Sequence, residues 1–241
     1  MTMPTPASPS AANPGRRPRR GRTAAITLAM AIAAGLLGGC AGRAPPPEWA
    51  QNAHGAAARA SEAYLSGEDR IAAQEWRRAR DEVARTARPD LLARVVLLEC
   101  AVRVASLAQV GCPDFEPLRS GADAAERAYA QYLEGRAVEA GAGGADLLPP
   151  AQRAVQAGGS AALAGVDDPL ARLVAAAVLY ARGDASPEVA RRAIEAASER
   201  GWRRPLMAWL LRSVEQAEQR GDAAQMEVLR QRLKVLRGSG S

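Results

Sequence analysis

Residues 91–107, LLARVVLLECAVRVASL, decide the fold of this chain of 241 residues. Apolar side chains occur on every side of this stretch when it is drawn as a helix. A helix that is apolar all round has to be covered on all sides, so it belongs in the middle of a packed array. Residues 170–180, LARLVAAAVLY, have the same character. The sequence therefore predicts two central helices that are surrounded by others.

The rest of the chain from Glu48 onward also has a helical pattern. Ala, Leu, Arg and Glu dominate, and no run alternates convincingly between apolar and polar residues. Apolar residues recur at helical spacing, as in the series Ala72, Trp76, Ala79 and Val83. The predicted fold class is all-α, one domain over residues 49–237. The predicted helices cover residues 49–66, 69–87, 90–108, 122–135, 148–157, 169–182, 187–200, 203–219 and 222–237.

The predicted helix ends carry residues that favour starts and stops. Asp168-Pro169 and Ser186-Pro187 place a capping side chain before a proline at the first helical position. Gly67 and Gly221 follow predicted helices, where glycine adopts the left-handed backbone conformation that ends them. Connections between helices are short, so successive helices should pack as antiparallel hairpins.

One hairpin has the spacing of a known repeat. Predicted hairpins start near residues 169 and 203, an interval of about 34 residues. Within residues 64–89, Gly67, Ala72, Trp76 and Ala79 show the glycine, small, aromatic and small order of a tetratricopeptide motif. The chain therefore resembles tetratricopeptide proteins over this unit, which implies a right-handed array of helical hairpins. Neither C-terminal hairpin carries the set, so an irregular helical bundle remains the alternative.

The first 39 residues have the order of an export signal. An arginine-rich segment, residues 16–22, precedes fourteen mainly apolar residues, 24–37 (AAITLAMAIAAGLL), which are too few to span a bilayer as a stable anchor. This stretch runs into Leu37-Gly38-Gly39-Cys40, which resembles the lipobox of bacterial lipoproteins. The resemblance implies cleavage before Cys40, a diacylglycerol on its thiol and an acyl chain on its new amino group. The alternative is an ordinary signal peptide that is cut near Ala41.

The lipid is the only attached group that the sequence predicts. Two or three acyl chains hold a soluble domain at a membrane, whereas one gives marginal attachment. Residues 40–48, with three prolines in succession at 45–47, should form a semi-extended tether, and residues 238–241 a disordered tail. Ala41 and Gly42 follow the cysteine in place of aspartate, which in the sorting rule of that family favours the outer membrane over the inner one.

The basic charge of the chain belongs to the signal. The chain has 32 Lys and Arg against 26 Asp and Glu, a net charge of +6. Five of the arginines lie in residues 1–39, which contain no acid, so the mature chain keeps 27 basic and 26 acidic residues. A nearly neutral mature chain removes the main reason to expect a nucleic-acid partner.

Two cysteines remain once Cys40 carries lipid. Export would bring Cys100 and Cys112 into a compartment where disulfides persist, so we predict that they form one bridge. Two separately buried thiols are the alternative. A metal site is not expected, because zinc needs several histidine or cysteine ligands, and one histidine remains once the lipid and the disulfide have taken the cysteines.

No catalytic residues are predicted. His54 is the only histidine, lies close to the tether and has no candidate nucleophile near it in sequence. Gly141–Gly144 lacks the lysine and serine of a phosphate-binding loop. The acid pairs Glu68-Asp69 and Asp167-Asp168 fall at helix starts, where carboxylates stabilise free amides.

Tryptophan supplies the candidate partner contact. Trp76 and Trp209 lie on apolar helical faces and are predicted core residues. Trp202 is flanked by charged residues at a hairpin junction, so it is predicted to be exposed, with Arg203 and Arg204 beside it against an acidic partner.

Together these features predict a non-enzymatic, lipid-anchored helical scaffold that binds an unidentified protein of the cell envelope. The alternative is a cell-wall enzyme, or an accessory of one, that uses carboxylates in a groove between helices.

Overall fold

The structure is a computed structural model that describes residues 45–108, 111–139, 141, 143–184 and 186–238. The predicted signal and the lipobox residues Leu37, Gly38, Gly39 and Cys40 lie outside the described residues, as do residues 239–241 of the predicted tail. A compact unit begins at Pro46. Pro47, from the predicted tether, is exposed and has the extended backbone of polyproline II, with φ −54° and ψ 152°.

The described residues contain helices and no strand, which confirms the predicted all-α class. The α-helices are α1 (Glu48–Ser66), α2 (Asp69–Ala84), α3 (Pro89–Ala105), α4 (Ala124–Leu133), α5 (Pro150–Gly158), α6 (Pro169–Ala181), α7 (Pro187–Arg200), α8 (Arg203–Gln219) and α9 (Ala223–Gly238). The described part of the chain also has three 3₁₀ segments, which the sequence did not predict: Pro113–Gly121, Ala145–Leu147 and Gly159–Gly165.

Two of the predicted helices extend three residues too far at their C-terminal ends. The helix predicted over residues 69–87 ends at Ala84, and Ala87 takes a positive φ of 52°, which a helix cannot include. The helix predicted to reach residue 108 ends at Ala105, and Leu107 takes a positive φ of 54°. The chain therefore turns earlier than the apolar pattern alone indicates.

Three pairs of neighbouring helices form antiparallel hairpins. Gly67 ends α1 with a φ of 97°, and Arg59 of α1 pairs across the hairpin with Glu75 of α2 at 2.7 Å. Helices α6 and α7 pack together, as do α8 and α9. The side chain of Arg203, at the start of α8, donates to the carbonyl oxygen of Leu236 near the end of α9 at 3.3 Å. The three hairpins are thus α1–α2, α6–α7 and α8–α9.

The two stretches that are apolar all round form the centre of the fold. All seven residues from 173 to 179 in α6 are buried, which is two full turns with no exposed side. Helix α3 is buried continuously over residues 99–102. These two helices contact each other, and α3 also contacts α1, α2 and α4. The prediction of two central helices is confirmed.

The first and last hairpins also meet. Helix α1 contacts α8, although some 140 residues separate the contacting positions Glu62 and Trp202. In an open solenoid each repeat contacts only its neighbours. The contact between α1 and α8 instead gives a bundle of hairpins in which the two ends of the domain pack together.

Substitution of Trp209 measures how much tight packing between the central helices contributes to the stability of the fold. Its side chain is 0% exposed, its indole Nε1 donates to the carbonyl oxygen of Ala105 at 3.1 Å, and its ring stacks edge-on against Tyr180. Trp209→Ala should lower the free energy of unfolding by about 3–5 kcal/mol, because it opens a large cavity between α3 and α8. Urea denaturation measures the loss.

Val235→Ala is the matched control for this substitution. The Val235 side chain is 70% exposed on α9, so its truncation should change the unfolding free energy by less than about 0.5 kcal/mol. Equal losses in the two variants would contradict the central position of Trp209.

Candidate functional site

Trp202, the predicted exposed contact, is buried. It immediately precedes α8, its side chain is 5% exposed, and its indole Nε1 donates to both carboxylate oxygens of Glu62 in α1 at 3.0 Å. The guanidinium of Arg200 lies over the outer side of the ring, 5.2 Å from its centre. The prediction of exposure is wrong because the charged partner that the tryptophan meets is this chain's own first helix.

Arg204 also binds the first hairpin. Its Nε donates to the carbonyl oxygen of Tyr64 at 2.7 Å, and a terminal nitrogen donates to Asp69 at 2.5 Å. The guanidinium lies 4.3 Å from the centre of the Tyr64 ring, within the range of a cation–π contact. Burial raises the pKa of the Tyr64 hydroxyl, and the positive charge of Arg204 partly offsets that rise.

We call these interactions of Trp202 and Arg204 with Glu62, Tyr64 and Asp69 the closing contact. Arg203 takes no part in it, because its side chain donates within the last hairpin to Leu236. The three residues predicted to bind a partner therefore bind other parts of the same chain. The partners of Trp202 and Arg204 lie 135 to 140 residues earlier in the chain, so no local pattern in the sequence indicates this arrangement.

The C-terminal hairpins enclose a concave surface that sequence analysis missed. The groove has a volume of about 420 Å³ and lies between α7, α8 and α9. We call it the C-terminal groove. Its apolar lining includes Ala190, Ile194 and Leu229, which are all buried. Its charged lining residues lie on α7, on α9 and in the turn that joins α8 to α9.

The charges of the C-terminal groove are unevenly paired. Its acids have partners in the chain: Glu195 pairs with Arg191, and Asp222 accepts a hydrogen bond from the backbone amide of Gln225 at 3.0 Å. The side chains of Arg220 and Arg232 have no ion pair or hydrogen bond with any described residue. This arrangement leaves two cations available to carboxylates of another molecule.

The cysteine pair lies where the sequence predicted it. Cys100 in α3 and Cys112, just before a 3₁₀ segment, are at disulfide distance, with their Cα atoms 5.6 Å apart. Both residues are buried. A bond between them joins the central helix to the segment that follows it.

Two of the predicted helix caps are present in the structure and one is not. Asp168 caps α6 by accepting from the amide of Ala171 at 2.7 Å, and Ser186 caps α7, as predicted. Glu68 precedes α2 but its side chain accepts no capping hydrogen bond, so its predicted capping role is wrong. His54 is exposed on α1.

Among the described residues, three carboxyl groups have lowered pKa values, and the largest cause of each shift is a hydrogen bond that an arginine donates. This is the opposite of the raised pKa that a general-acid carboxyl requires. The pairs are Asp90 with Arg88, Glu116 with Arg119, and Glu188 with Arg191. Within the described ranges, no group of three or more potential metal ligands comes together, and no helix is both long and apolar enough to cross a bilayer.

The closing contact can be tested with two adjacent arginines. Arg204→Ala removes the bonds to Tyr64 and Asp69, and should lower the unfolding free energy by about 1–2 kcal/mol, since Asp69 itself is well exposed. Amide hydrogen exchange should become faster in α1 and α8. Arg203→Ala should change stability by less than about 0.5 kcal/mol. Equal effects of the two substitutions would contradict the assignment.

No protein-family model matches the chain, and no curated protein or solved structure does so either.

Proposed function

We propose that this protein is a lipoprotein of the outer membrane whose helical domain acts in the periplasm as an adaptor for another envelope protein. The lipobox-like segment Leu37-Gly38-Gly39-Cys40 supports the anchor. Acyl chains on Cys40 would hold the domain at the membrane surface, and the proline-rich residues 45–47 would separate the domain from it.

The C-terminal groove is the observation that supports protein binding. A helix or extended segment that docks there would contact an apolar floor and place its acidic side chains near Arg220 and Arg232. Arginine forms strong, charge-assisted hydrogen bonds with carboxylates, and such bonds fix the register of a bound segment. The closing contact favours the same role, because a domain whose ends are joined presents a rigid groove.

Cys40→Ala tests the membrane anchor. The variant should no longer incorporate labelled palmitate in growing cells, because it lacks the cysteine that lipoprotein processing requires. It should also lose the stable attachment to membranes that acyl chains provide. Fractionation of cells with a radiolabel measures both properties. Ala41→Ser leaves the cysteine intact and should still be lipidated and remain in the membrane fraction. A Cys40→Ala protein that carries label as the wild type does would exclude the proposed anchor.

Charge reversal tests the C-terminal groove. Arg220→Glu and Arg232→Glu should each reduce partner crosslinking in intact cells by about tenfold or more, because a charge-assisted hydrogen bond contributes about 1.5–3 kcal/mol. Arg230→Glu is the matched control, since Arg230 is exposed on α9 but does not line the groove. The crosslinker is placed at Gln225 in all proteins. Equal yields in all variants, or no crosslink in the wild type, would count against the adaptor role.

A further inference from the structure

A second concave surface lies at the opposite end of the chain from the C-terminal groove. It has a volume of about 390 Å³ and is formed by α2 and α3 together with the end of α1. Its charged lining includes three arginines, and we call it the arginine groove. The charged residues that line it are Asp69, Arg77, Arg80, Glu99 and Arg103.

The two acids of the arginine groove already have partners. Glu99 is buried, at 5% exposed, and its two carboxylate oxygens accept from different arginines, one from Arg80 and one from Arg103. Asp69 accepts from Arg204 in the closing contact. The charge of Asp69 is neutralised by that of Arg204. The remaining charged residues of the groove are three arginines and the carboxylate of Glu99, so the groove has an excess of two positive charges.

Hydrogen-bond donors are also in excess. A guanidinium has five N–H donors. Arg80 and Arg103 each donate to Glu99 from one terminal nitrogen. The side chain of Arg77 is bonded to no described residue and lies in the exposed part of α2. The Nε of Arg80 is buried and has no hydrogen-bond partner within the described part of the chain. The donors that a ligand can use are therefore those of Arg77 and the remaining terminal N–H groups of Arg80 and Arg103.

We propose that the arginine groove binds the phosphate group of a phosphomonoester. Such a group carries between −1.5 and −2 charges near pH 7 and three acceptor oxygens, which match the excess charge and the excess donors. Guanidinium groups bind phosphate oxygens in pairs, which favours arginine over lysine at such a site. The groove is much larger than a phosphate group, so the remainder of the ester has room beside Tyr64 and Ala73.

This site does not depend on the proposed adaptor role, because it uses α1–α3 and not the C-terminal groove. The phosphate could belong to a soluble ester or to the headgroup of a lipid, and the binding chemistry is the same for both. Binding of inorganic phosphate and binding to lipid vesicles distinguish these two sources.

Calorimetric titration of the full mature protein in detergent with inorganic phosphate, at fixed ionic strength and pH 7.5, tests the site. Arg77→Gln should weaken phosphate binding about tenfold, because one charge-assisted contact is lost. Arg78→Gln is the matched control, since Arg78 is the neighbouring exposed arginine on α2 and does not line the groove. Both positions are on the surface, so neither variant should unfold. Glu99→Gln should tighten binding by removing the competing carboxylate.

The charge of the ligand provides a second measurement. Phosphate binding should weaken between pH 7.5 and pH 5, where phosphate becomes a monoanion, whereas binding of sulfate should change little. Histidine does not line the groove, so the protein charges there stay the same over this range. Acetate, a monoanion, should bind at least tenfold more weakly than phosphate.

Vesicles containing phosphatidic acid, compared with vesicles containing phosphatidylglycerol, identify the source. If the protein is retained on vesicles with phosphatidic acid, and this retention depends on Arg77 but not on Arg78, the ligand is a lipid headgroup. If the protein binds inorganic phosphate through Arg77 but is not retained on these vesicles, the ligand is a soluble ester. The proposal is overturned if neither probe binds, if Arg77→Gln and Arg78→Gln weaken binding equally, or if acetate binds as tightly as phosphate.

Discussion

The burial of α3 and α6 is the constraint on which the rest of the structure depends. Residues 173–179 are buried on every side, so α6 needs neighbours all round. Helix α3 meets this need on one side and is itself covered by α1, α2 and α4. Each fully buried Leu or Val contributes about 1.5–3 kcal/mol through apolar surface removed from water, which makes exposure of either helix unfavourable. The amphipathic helices therefore pack around α3 and α6 and do not extend into an open array.

The closing contact follows from that arrangement and limits where partners can bind. Covering the central helices from both ends of the chain brings α1 against α8, where Trp202 and Arg204 bind side chains and a carbonyl oxygen of the first hairpin. Residues that looked like a binding surface in the sequence are thus used inside the domain. Two concave surfaces of the described residues, the C-terminal groove and the arginine groove, contain arginine side chains that have no partner within that part of the chain.

Local features could be predicted from the sequence, and contacts between distant segments could not. The core positions of Trp76 and Trp209 follow from helical periodicity, and the caps at Asp168 and Ser186 from the proline that follows each. The 3₁₀ segment Gly159–Gly165 was missed because glycine and alanine give no periodic signal over so short a length. Trp202 was placed wrongly because its partner, Glu62, is 140 residues away, and both grooves arise only when three helices pack together.

The proposed function requires that acyl chains on one residue, Cys40, hold the helical domain at a membrane. Intact-mass spectrometry of the protein purified from bacterial envelopes tests this claim most directly. We expect a chain that starts at Cys40 and carries the added mass of a diacylglycerol and an N-linked acyl group. A mature chain that starts at another residue, or that starts at Cys40 with no added mass, would contradict it.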